Sequence, residues 1–318
     1  MVRKSGAAVE KEKEAGVKTV GMIGLGIMGM PMSANLLKAG FGVVGYGGPR
    51  SNTEKIAALA PLGGQGARSP REAAERSDVV VMVLPSVAAL DEVIHGADGL
   101  LASGRSGLIA VEAGTFPIED KLRAREALAA GGMVLLDCPI SGTGAQAARK
   151  DLSIYGSGDP AAYERCVPVF QGFARSTYYL GEFGNGSKMK YVANLLVAIH
   201  NVSTAEAFVL GMKAGLDPET IYKVIGDGAG TSRMFEVRGP LMVKGEYEPA
   251  TMKVDIWQKD MKIIGEFATK LGVPTPLFAA SALLYTAAMA QGRGKQDTAS
   301  VCAILEEWAR FCREGQPS

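Results

Sequence analysis

Three glycines between a strand pattern and a helix pattern constrain this fold more than any other feature. The apolar run TVGMI, residues 19–23, leads directly into GLGIMGMPMSANLLKAG. Glycines at this spacing allow a tight turn, a close approach of the backbone to a pyrophosphate, and close packing of the following helix on the strand. The helix N-terminus adds amide donors for phosphate. We therefore predict a nucleotide-binding turn made of Gly24, Leu25, Gly26, Ile27, Met28 and Gly29.

Strand and helix patterns alternate through the first half of the chain. The run VVVMVL at residues 79–84 is apolar without alternation, which is typical of a strand buried on both faces of a parallel sheet. The strand patterns GLIAVEA and MVLLDCP follow, and helix patterns at residues 87–95 and 117–130 separate them. This order predicts an α/β fold with an N-terminal Rossmann-type, doubly wound parallel sheet.

The chain changes character after Gly181. A segment that begins GNGSKMKY predicts one helix of about 25 residues, and amphipathic helix patterns continue almost to the end. Of the 41 glycines, 29 fall in residues 1–190, which indicates a turn-rich front and a more regular back. We predict a flexible tail at 1–17, a dinucleotide-binding domain at 18–180, and an all-helical domain for substrate binding and oligomerisation at 181–318, with the long helix between the domains.

Composition argues against several classes of function. Lys and Arg total 34 against 33 Asp and Glu, so almost no net charge attracts the chain to nucleic acid or to an anionic membrane. The four cysteines have no CxxC spacing and there are two histidines, which argues against a metal centre. No apolar run approaches the roughly 18 residues of a membrane span, and the charged first 17 residues lack the hydrophobic stretch of a secretory signal. We predict a cytoplasmic protein without a metal, membrane or nucleic-acid partner.

The end of the second strand pattern bears on the choice of cofactor. NAD-binding proteins of this type usually place Asp or Glu there to bind the ribose hydroxyls. This chain reads VGYGGPRS at residues 44–51 and has no carboxylate in that stretch. Arg50 can instead pair with the 2′-phosphate of NADP, or it can be a solvated loop residue. The sequence slightly favours NADP and leaves NAD open.

Four ordered segments resemble the signatures of the β-hydroxyacid dehydrogenase family, to which 3-hydroxyisobutyrate dehydrogenase belongs. They are GLGIMGMPM, DCPISGTGAQAARKDL, GNGSKMKYVANLL and WQKDMKII. The similarity extends over roughly residues 18–312, and the stretch GTSRMFEVRGPLMVKGEYEP is most similar to the L-threonate dehydrogenase branch. The resemblance implies an NAD(P)-dependent dehydrogenase that transfers a hydride between the nicotinamide and a small β-hydroxy acid or the corresponding semialdehyde.

Ser141, Gly142 and Thr143 follow a strand pattern in the second of these segments. Ligands of a doubly wound sheet gather at the carboxyl ends of its strands, where a hydroxyl and successive amides can cradle a carboxylate. The resemblance assigns this segment to the acid group of the substrate. Thr143 stands where the family usually has a second glycine, so we expect its side chain to narrow the pocket or to add a hydroxyl.

The predicted long helix carries the expected catalyst. Lys190 and Asn194 share one face of it because they are four residues apart, whereas Lys188 lies on roughly the opposite face. Val197 and Asn201 continue this mostly polar line, and buried polar groups cost free energy unless paired, so the line predicts a functional cleft. The resemblance makes Lys190 the general acid/base and lets Asn194 orient the substrate. A free lysine has a pKa of about 10.4, so the role requires desolvation or a neighbouring cation.

The resemblance also implies further cofactor contacts. Leu84 and Pro85 follow a buried strand, and Thr115 ends the next one. Lys259 matches the lysine of a Lys-Asp pair that reaches the cofactor in the family, although a solvated ion pair is the alternative for it. Gly114 departs from the family pattern, in which an acidic residue is often followed by Ser-Thr.

Two other functions remain open. An imine reductase can be built on the same scaffold, although the pair of Lys190 and Asn194 favours hydroxy acids. A nucleotide-binding regulatory protein that has lost catalysis is the second alternative, and the presence of Lys190 counts against it. For the dehydrogenase we expect a homodimer or homotetramer with a small-molecule substrate.

Overall fold

The computed structural model describes residues 16–313 and contains two compact units. Among the described residues the first unit ends at Lys190 and the second begins at Tyr191, so the division falls inside one long helix. The flexible tail predicted at residues 1–17 lies outside the described residues, except for its last two.

A six-stranded parallel sheet forms the centre of the first unit. Its order is β3-β2-β1-β4-β5-β6, which confirms the predicted doubly wound fold. The strands are β1 (Thr19–Ile23), β2 (Gly42–Tyr46), β3 (Gln65–Gly66), β4 (Val79–Met82), β5 (Ile109–Glu112) and β6 (Val134–Asp137). The strand order reverses between β1 and β4, and sheets of this kind bind ligands at the carboxyl ends of the strands there.

Helices cover both faces of this sheet. Along β4, Val79 and Val81 belong to one hydrophobic cluster, and Val80 and Met82 belong to another. The run VVVMVL lacks alternation because both of its faces are buried. The first unit contains α1 (Gly29–Lys38), α2 (Asn52–Leu59), α3 (Pro70–Glu75), α4 (Val87–His95), α5 (Ile118–Ala130), α6 (Gly144–Ala148), α7 (Pro160–Phe173) and the start of α8 (Asn185–Lys213).

A small second sheet in the first unit is absent from the sequence-based predictions. In it β7 (Ile140–Ser141) pairs antiparallel with β8 (Ser153–Gly156), which pairs parallel with β9 (Ser176–Tyr179). Strands of two to four residues are too short to show a period in the sequence. The pairing of Ser141 with Ser153 fixes the backbone at the start of the predicted carboxylate segment.

The second unit is helical, as the sequence predicts. It contains the rest of α8, α9 (Pro218–Gly226), α10 (Arg233–Lys244), α11 (Val254–Lys270), α12 (Pro276–Ala290) and α13 (Val301–Trp308). Asn201 on α8 donates to the Tyr285 hydroxyl and to the Thr298 carbonyl, both at 2.9 Å. These bonds explain why Asn201 is buried, so it belongs to the packing of this unit and not to the predicted cleft.

Within residues 16–313, α8 is the one helix whose length and hydropathy would suit a membrane span. Its buried side chains include the polar groups of Lys190, Asn194 and Asn201. Polar groups of this kind are costly in lipid, and a core helix of a folded protein can have the same length and composition.

Candidate active site

The glycine turn between β1 and α1 has the backbone geometry of a dinucleotide site. Gly24 has a φ of +102°, and a Cβ there would lie 2.1 Å from the Val83 carbonyl oxygen. A Cβ on Gly29 would lie 1.8 Å from the Gly24 carbonyl oxygen, whereas a Cβ on Gly26 would meet nothing within 4 Å. The first and third positions therefore accept glycine alone, and the second leaves open space beside the backbone for a ligand.

The residues between these glycines have different surroundings. The Leu25 side chain is buried, so Leu25 can meet a ligand through its backbone, whereas the Ile27 side chain is 65% exposed. Met28 is the N-cap of α1, and its side chain makes no capping hydrogen bond. The first amides of α1 can therefore donate to a phosphate, and the turn fits a dinucleotide.

A cavity of about 660 Å³ lies beside this turn. The predicted cofactor residues Arg50, Leu84 and Pro85 line it, and so does Arg68, which the sequence did not suggest. The Arg68 guanidinium pairs with Glu72 at 2.9 Å, and hydrogen bonds from the Arg68 backbone and side chain lower the pKa of Glu72 to about 2. Two arginines thus line a cavity whose β2 end carries no carboxylate.

Buried charged residues fix the loop that carries Thr115, whose side chain is itself buried. The Gly114 amide donates to Glu112 Oε1 at 2.7 Å, and the Gly114 carbonyl accepts from Lys121 Nζ at 2.8 Å. A Cβ on Gly114 would lie 2.7 Å from Glu112 Oε1 and 2.8 Å from the Phe116 ring. Glycine at this departure from the family pattern is therefore required by the position of its neighbours.

The predicted carboxylate segment is held in one backbone conformation. Ser141 is half-buried at the end of β7. Gly142 has a φ of +134°, and a Cβ there would lie 2.5 Å from Leu152 Cδ2. The amide and the hydroxyl of Thr143 donate to Gln146 Oε1 at 3.0 and 3.3 Å. The Thr143 side chain, which we expected to shape the pocket, thus takes part in the capping of α6.

Lys190 lies in the second turn of α8, and its side chain is 8% exposed. Lys188 is exposed and donates to Asn185 Oδ1 at 3.0 Å. The two lysines therefore have different environments, in agreement with the faces that their spacing predicts.

In the second unit, hydrogen bonds join two other predicted site residues. Asn194 Nδ2 donates to Asp260 Oδ2 at 2.9 Å, and Lys259 Nζ lies 2.7 Å from Asp260 Oδ1. Asn194 and Asp260 are buried, and the Lys259 side chain is 34% exposed, so this is not a fully solvated ion pair. Asp260 was not among the predicted site residues, although it stands beside Lys259 in the sequence.

Three charged side chains that the sequence did not suggest lie together inside the first unit. Glu112 ends β5, Asp137 ends β6 and Lys121 lies on α5, and each is 0% exposed. Lys121 Nζ forms ion pairs with Glu112 Oε2 and, at 2.8 Å, with Asp137 Oδ1. Burial raises the pKa of Glu112; burial lowers the pKa of Lys121, but the two carboxylates outweigh it and raise that pKa. We call these three residues the buried charge cluster.

Asp137 connects the buried charge cluster to the start of α8. Its Oδ2 accepts from the Ser187 amide and its Oδ1 from the Ser187 hydroxyl, both at 2.8 Å. The Ser157 hydroxyl donates to Asp137 Oδ2 at 3.2 Å and accepts from the Gly186 amide at 2.9 Å. The sequence places both acids at strand ends, but Lys121 is not distinguished there from a lysine on the surface of a helix.

Metal ligands and buried thiols of the described residues offer no second site. Within residues 16–313, no group of three or more His, Cys, Asp or Glu side chains is arranged to hold a metal ion. Cys138, Cys166 and Cys302 are buried, Cys312 is exposed, and all are free thiols. Burial raises the pKa of Cys166 and Cys302 to about 12, which makes them poor nucleophiles.

Comparison with known proteins identifies the family. The family model for the NAD binding domain of 6-phosphogluconate dehydrogenase matches residues 19–181, about half of the chain. The model described as NAD-binding of NADP-dependent 3-hydroxyisobutyrate dehydrogenase matches residues 184–305. The chain belongs to the β-hydroxyacid dehydrogenase family.

Individual members of this family match the chain over almost its whole length. L-Threonate dehydrogenase from Cupriavidus necator is 35% identical over 91% of this chain and 96% of that protein. Glyoxylate/succinic semialdehyde reductase 2 from Arabidopsis thaliana is 31% identical over 92% of this chain and 81% of that protein. A crystal structure of 3-hydroxyisobutyrate dehydrogenase from Salmonella typhimurium has a TM-score of 0.82 and 32% identity, and covers 90% of this chain and 99% of that one.

This β-hydroxyacid dehydrogenase is an NAD(P)-dependent oxidoreductase of small hydroxy acids or semialdehydes, as the sequence predicts. The predicted family, fold class and use of NAD or NADP are confirmed. An imine reductase from Myxococcus stipitatus, at 18% identity and a TM-score of 0.60, shares the fold alone.

Proposed function

We propose that this enzyme oxidises a hydroxy acid of the L-threonate type with NADP, with Lys190 as general acid/base. The observation that carries the proposal is the buried Lys190 side chain, four residues before the buried Asn194 on α8, beside the exposed Lys188. Relatives named L-threonate dehydrogenase, from Cupriavidus necator and Escherichia coli, match 90% or more of this chain and suggest the substrate class.

Lys190 and Asn194 divide the work on the substrate hydroxyl in this proposal. The nicotinamide, when bound, takes or returns a hydride. Lys190 removes the hydroxyl proton during oxidation and returns it during reduction. Asn194 orients the hydroxyl, and the 2.9 Å bond to Asp260 holds the Asn194 amide in one orientation.

In this proposal Ser141 and the Gly142 amide bind the substrate carboxylate, and Thr143 borders the site while its amide and hydroxyl donate to Gln146 Oε1. Gly142 is a poor position for a test, because its φ of +134° would strain any side chain whether or not a carboxylate binds there. Ser141→Ala removes one hydrogen bond to a charged group and should raise KM roughly 10-fold with kcat unchanged. An unchanged KM would remove Ser141 from the carboxylate site.

The cofactor spans several of the segments described above. The turn from Gly24 to Gly29 would hold the pyrophosphate, and Arg50 would pair with the 2′-phosphate. Arg50→Ala should therefore weaken NADPH binding by about 1.5–3 kcal/mol and leave NADH binding almost unchanged. Equal losses for both cofactors would contradict the preference for NADP. The proposed contacts near the nicotinamide are Leu84, Pro85, Thr115 and Lys259.

The catalytic assignment is tested with two lysines that lie two residues apart. Lys190→Ala should lower kcat at least ~10²-fold, the typical contribution of a general acid/base, and leave NADPH binding nearly intact. Lys188→Ala is the matched control and should resemble the wild type. Steady-state kinetics with L-threonate and related three- and four-carbon acids, and with both cofactors, measures these effects. If the two variants lose activity equally, Lys190 is not the acid/base.

We also propose that the enzyme is a cytoplasmic homodimer or homotetramer. Leu210 and Trp308 are 74% and 57% exposed and line an apolar groove in the second unit, which supports association with a second copy. Sedimentation at micromolar concentration should show a dimer or tetramer. A monomer would contradict the proposal.

A further inference from the structure

We propose that the buried charge cluster of Glu112, Lys121 and Asp137 positions the reacting groups, so that its loss lowers kcat beyond its effect on stability. The inference rests on the proposed roles of Thr115, Lys190 and Ser141. Glu112, Lys121 and Asp137 are fully buried and touch none of the reacting atoms, so we call them positioning residues.

Stability alone does not account for three buried charges. Removing ions from water costs several kcal/mol for each, and a well-packed apolar group in place of a buried ion pair is often as stable. The cluster also carries one negative charge that is not balanced, since two carboxylates surround one ammonium. What the charges supply is a set of directional bonds to backbone and hydroxyl groups on separate segments, which apolar side chains cannot supply.

The first set of bonds fixes the loop proposed to contact the nicotinamide. Glu112 Oε1 accepts from the Gly114 amide at 2.7 Å, and Lys121 Nζ donates to the Gly114 carbonyl at 2.8 Å. Gly114 directly precedes Thr115, and both its amide and its carbonyl are therefore held by charged side chains. Hydrogen bonds to charged groups are roughly twice as strong as neutral ones, so the loop is held firmly.

The second set fixes the start of the helix that carries Lys190. Asp137 accepts from the Ser187 amide and hydroxyl, both at 2.8 Å, three residues before Lys190. A carboxylate at a helix N-terminus also interacts favourably with the helix dipole. Both bonds hold the first turn of α8 against Asp137, and this turn carries the backbone that leads directly to Lys190.

The third bond is made next to the strand that pairs with the proposed carboxylate segment. The Ser157 hydroxyl donates to Asp137 Oδ2 at 3.2 Å. Ser157 directly follows β8, and Ser153 of β8 pairs with Ser141 on β7. One cluster thus connects the segments proposed for hydride transfer, proton transfer and carboxylate binding, and displacements of about 1 Å between such groups can cost about 10²-fold in rate.

The test compares Lys121→Met with Arg238→Met, a matched control in the second unit. Arg238 forms a buried ion pair with Asp297 at 2.7 Å. Both variants therefore remove one buried cation, from two carboxylates in Lys121→Met and from one in Arg238→Met. We expect kcat per folded molecule to fall roughly 10- to 100-fold in Lys121→Met, with KM for L-threonate changed far less. Arg238→Met should keep kcat within about twofold of the wild type. Equal values of kcat in the two variants would overturn the proposal.

Hydrogen exchange separates failure of this inference from failure of the proposed function. In Lys121→Met the amides of residues 114–116 and 186–190 should exchange faster than in the wild type. In Arg238→Met faster amide exchange should instead occur at residues 251–252 and 297–299. If the wild type oxidises no hydroxy acid with either cofactor, the proposed function fails, and this exchange pattern still decides whether the cluster holds the two segments. Unchanged exchange at both segments in Lys121→Met would overturn the inference.

Ser187→Ala provides a milder variant in case Lys121→Met does not fold. It removes the hydroxyl bond to Asp137 and keeps the amide bond. We expect kcat to fall roughly 10-fold with KM unchanged, and Lys188→Ala on the same helical turn to behave as the wild type. A Ser187→Ala enzyme with the kcat of the wild type would show that Asp137 does not position Lys190.

Discussion

Each unit of the molecule buries ionised side chains, but the two groups differ in charge and in what they connect. In the first unit, Glu112 and Asp137 share one cation, Lys121, and the odd negative charge accompanies a raised pKa of Glu112, caused first by burial. In the second unit, Arg238 and Asp297 form a one-to-one pair. The first group is therefore electrostatically unbalanced and the second is balanced.

The bonds of the two groups show the difference in role. Asp297 accepts from the amides of Thr251, Met252 and Ala299 at 2.8, 3.2 and 3.0 Å, and none of these residues belongs to the candidate active site. The buried charge cluster instead holds the Gly114 loop and the start of α8. Buried charge in the helical unit thus stabilises a fold, whereas in the nucleotide-binding unit it also sets the relative positions of proposed site residues.

Substitution of Asp297 should have the largest effect on stability in either group. Asp297→Asn leaves the buried Arg238 without a counter-charge, and we expect it to lower the free energy of unfolding by about 3–5 kcal/mol. Asp137→Asn should cost less, about 1–3 kcal/mol, because Glu112 still neutralises Lys121 and hydrogen bonds are the main loss. Urea unfolding at pH 7 measures both. A larger loss in Asp137→Asn would show that charge balance does not distinguish the two groups.

Steric crowding beside the buried charge cluster should cause the next largest loss of stability. Gly114→Ser should lower the free energy of unfolding by about 1–3 kcal/mol, because the added Cβ would lie 2.7 Å from Glu112 Oε1. Glu112→Asp retracts the carboxylate by one methylene, so the double variant Glu112→Asp/Gly114→Ser should recover part of the loss. A double-mutant cycle measures this coupling. Strict additivity would mean that Glu112 does not limit the space at residue 114.

The raised pKa of Glu112, caused first by burial, predicts a pH dependence of stability that Glu112→Gln should reduce. The folded pKa of Glu112 is raised above its ordinary value of 4.5, so its neutral form is favoured by folding. The corresponding stability is fully present below pH 4.5 and is lost as pH rises through the folded pKa. Glu112→Gln should therefore show a smaller decline of unfolding free energy above pH 4.5 than the wild type, with a change within about 1.5 kcal/mol at pH 7. Parallel pH profiles would contradict the raised pKa.

The smallest expected effect is a gain in the helical unit. A Cβ on Gly265, in the interior of α11, would meet its nearest heavy atom, on the Phe278 ring, at 4.0 Å. Gly265→Ala should therefore raise the free energy of unfolding by about 0.5–1 kcal/mol through helix propensity, without the steric cost expected at Gly114. Thermal unfolding measures the gain. A loss of stability would show that the surroundings of Gly265 leave as little space for a side chain as those of Gly114.

Local features of the sequence predicted much of the fold. Asp159 and Asp217 each stand directly before a proline, a pattern typical of a helix N-cap, and their carboxylates accept from the Ala162 and Thr220 amides. The apolar run of β4 and the glycine turn after β1 likewise depend on neighbouring residues alone. Lys190 was predicted from its helical spacing and the family resemblance, and its burial agrees with the face inferred for it.

The amino-acid sequence by itself determined the doubly wound sheet, the helical second unit and the glycine turn after β1. Each of these depends on periodicity or on backbone freedom within a few consecutive residues. Tertiary structure alone decided that Lys121 meets Glu112 and Asp137, and that Asn201 is satisfied by Tyr285. It also decided the pairing of β7, β8 and β9. These contacts join residues far apart in the chain, and a charge or an amide in the sequence does not show which distant partner will satisfy it once water is excluded.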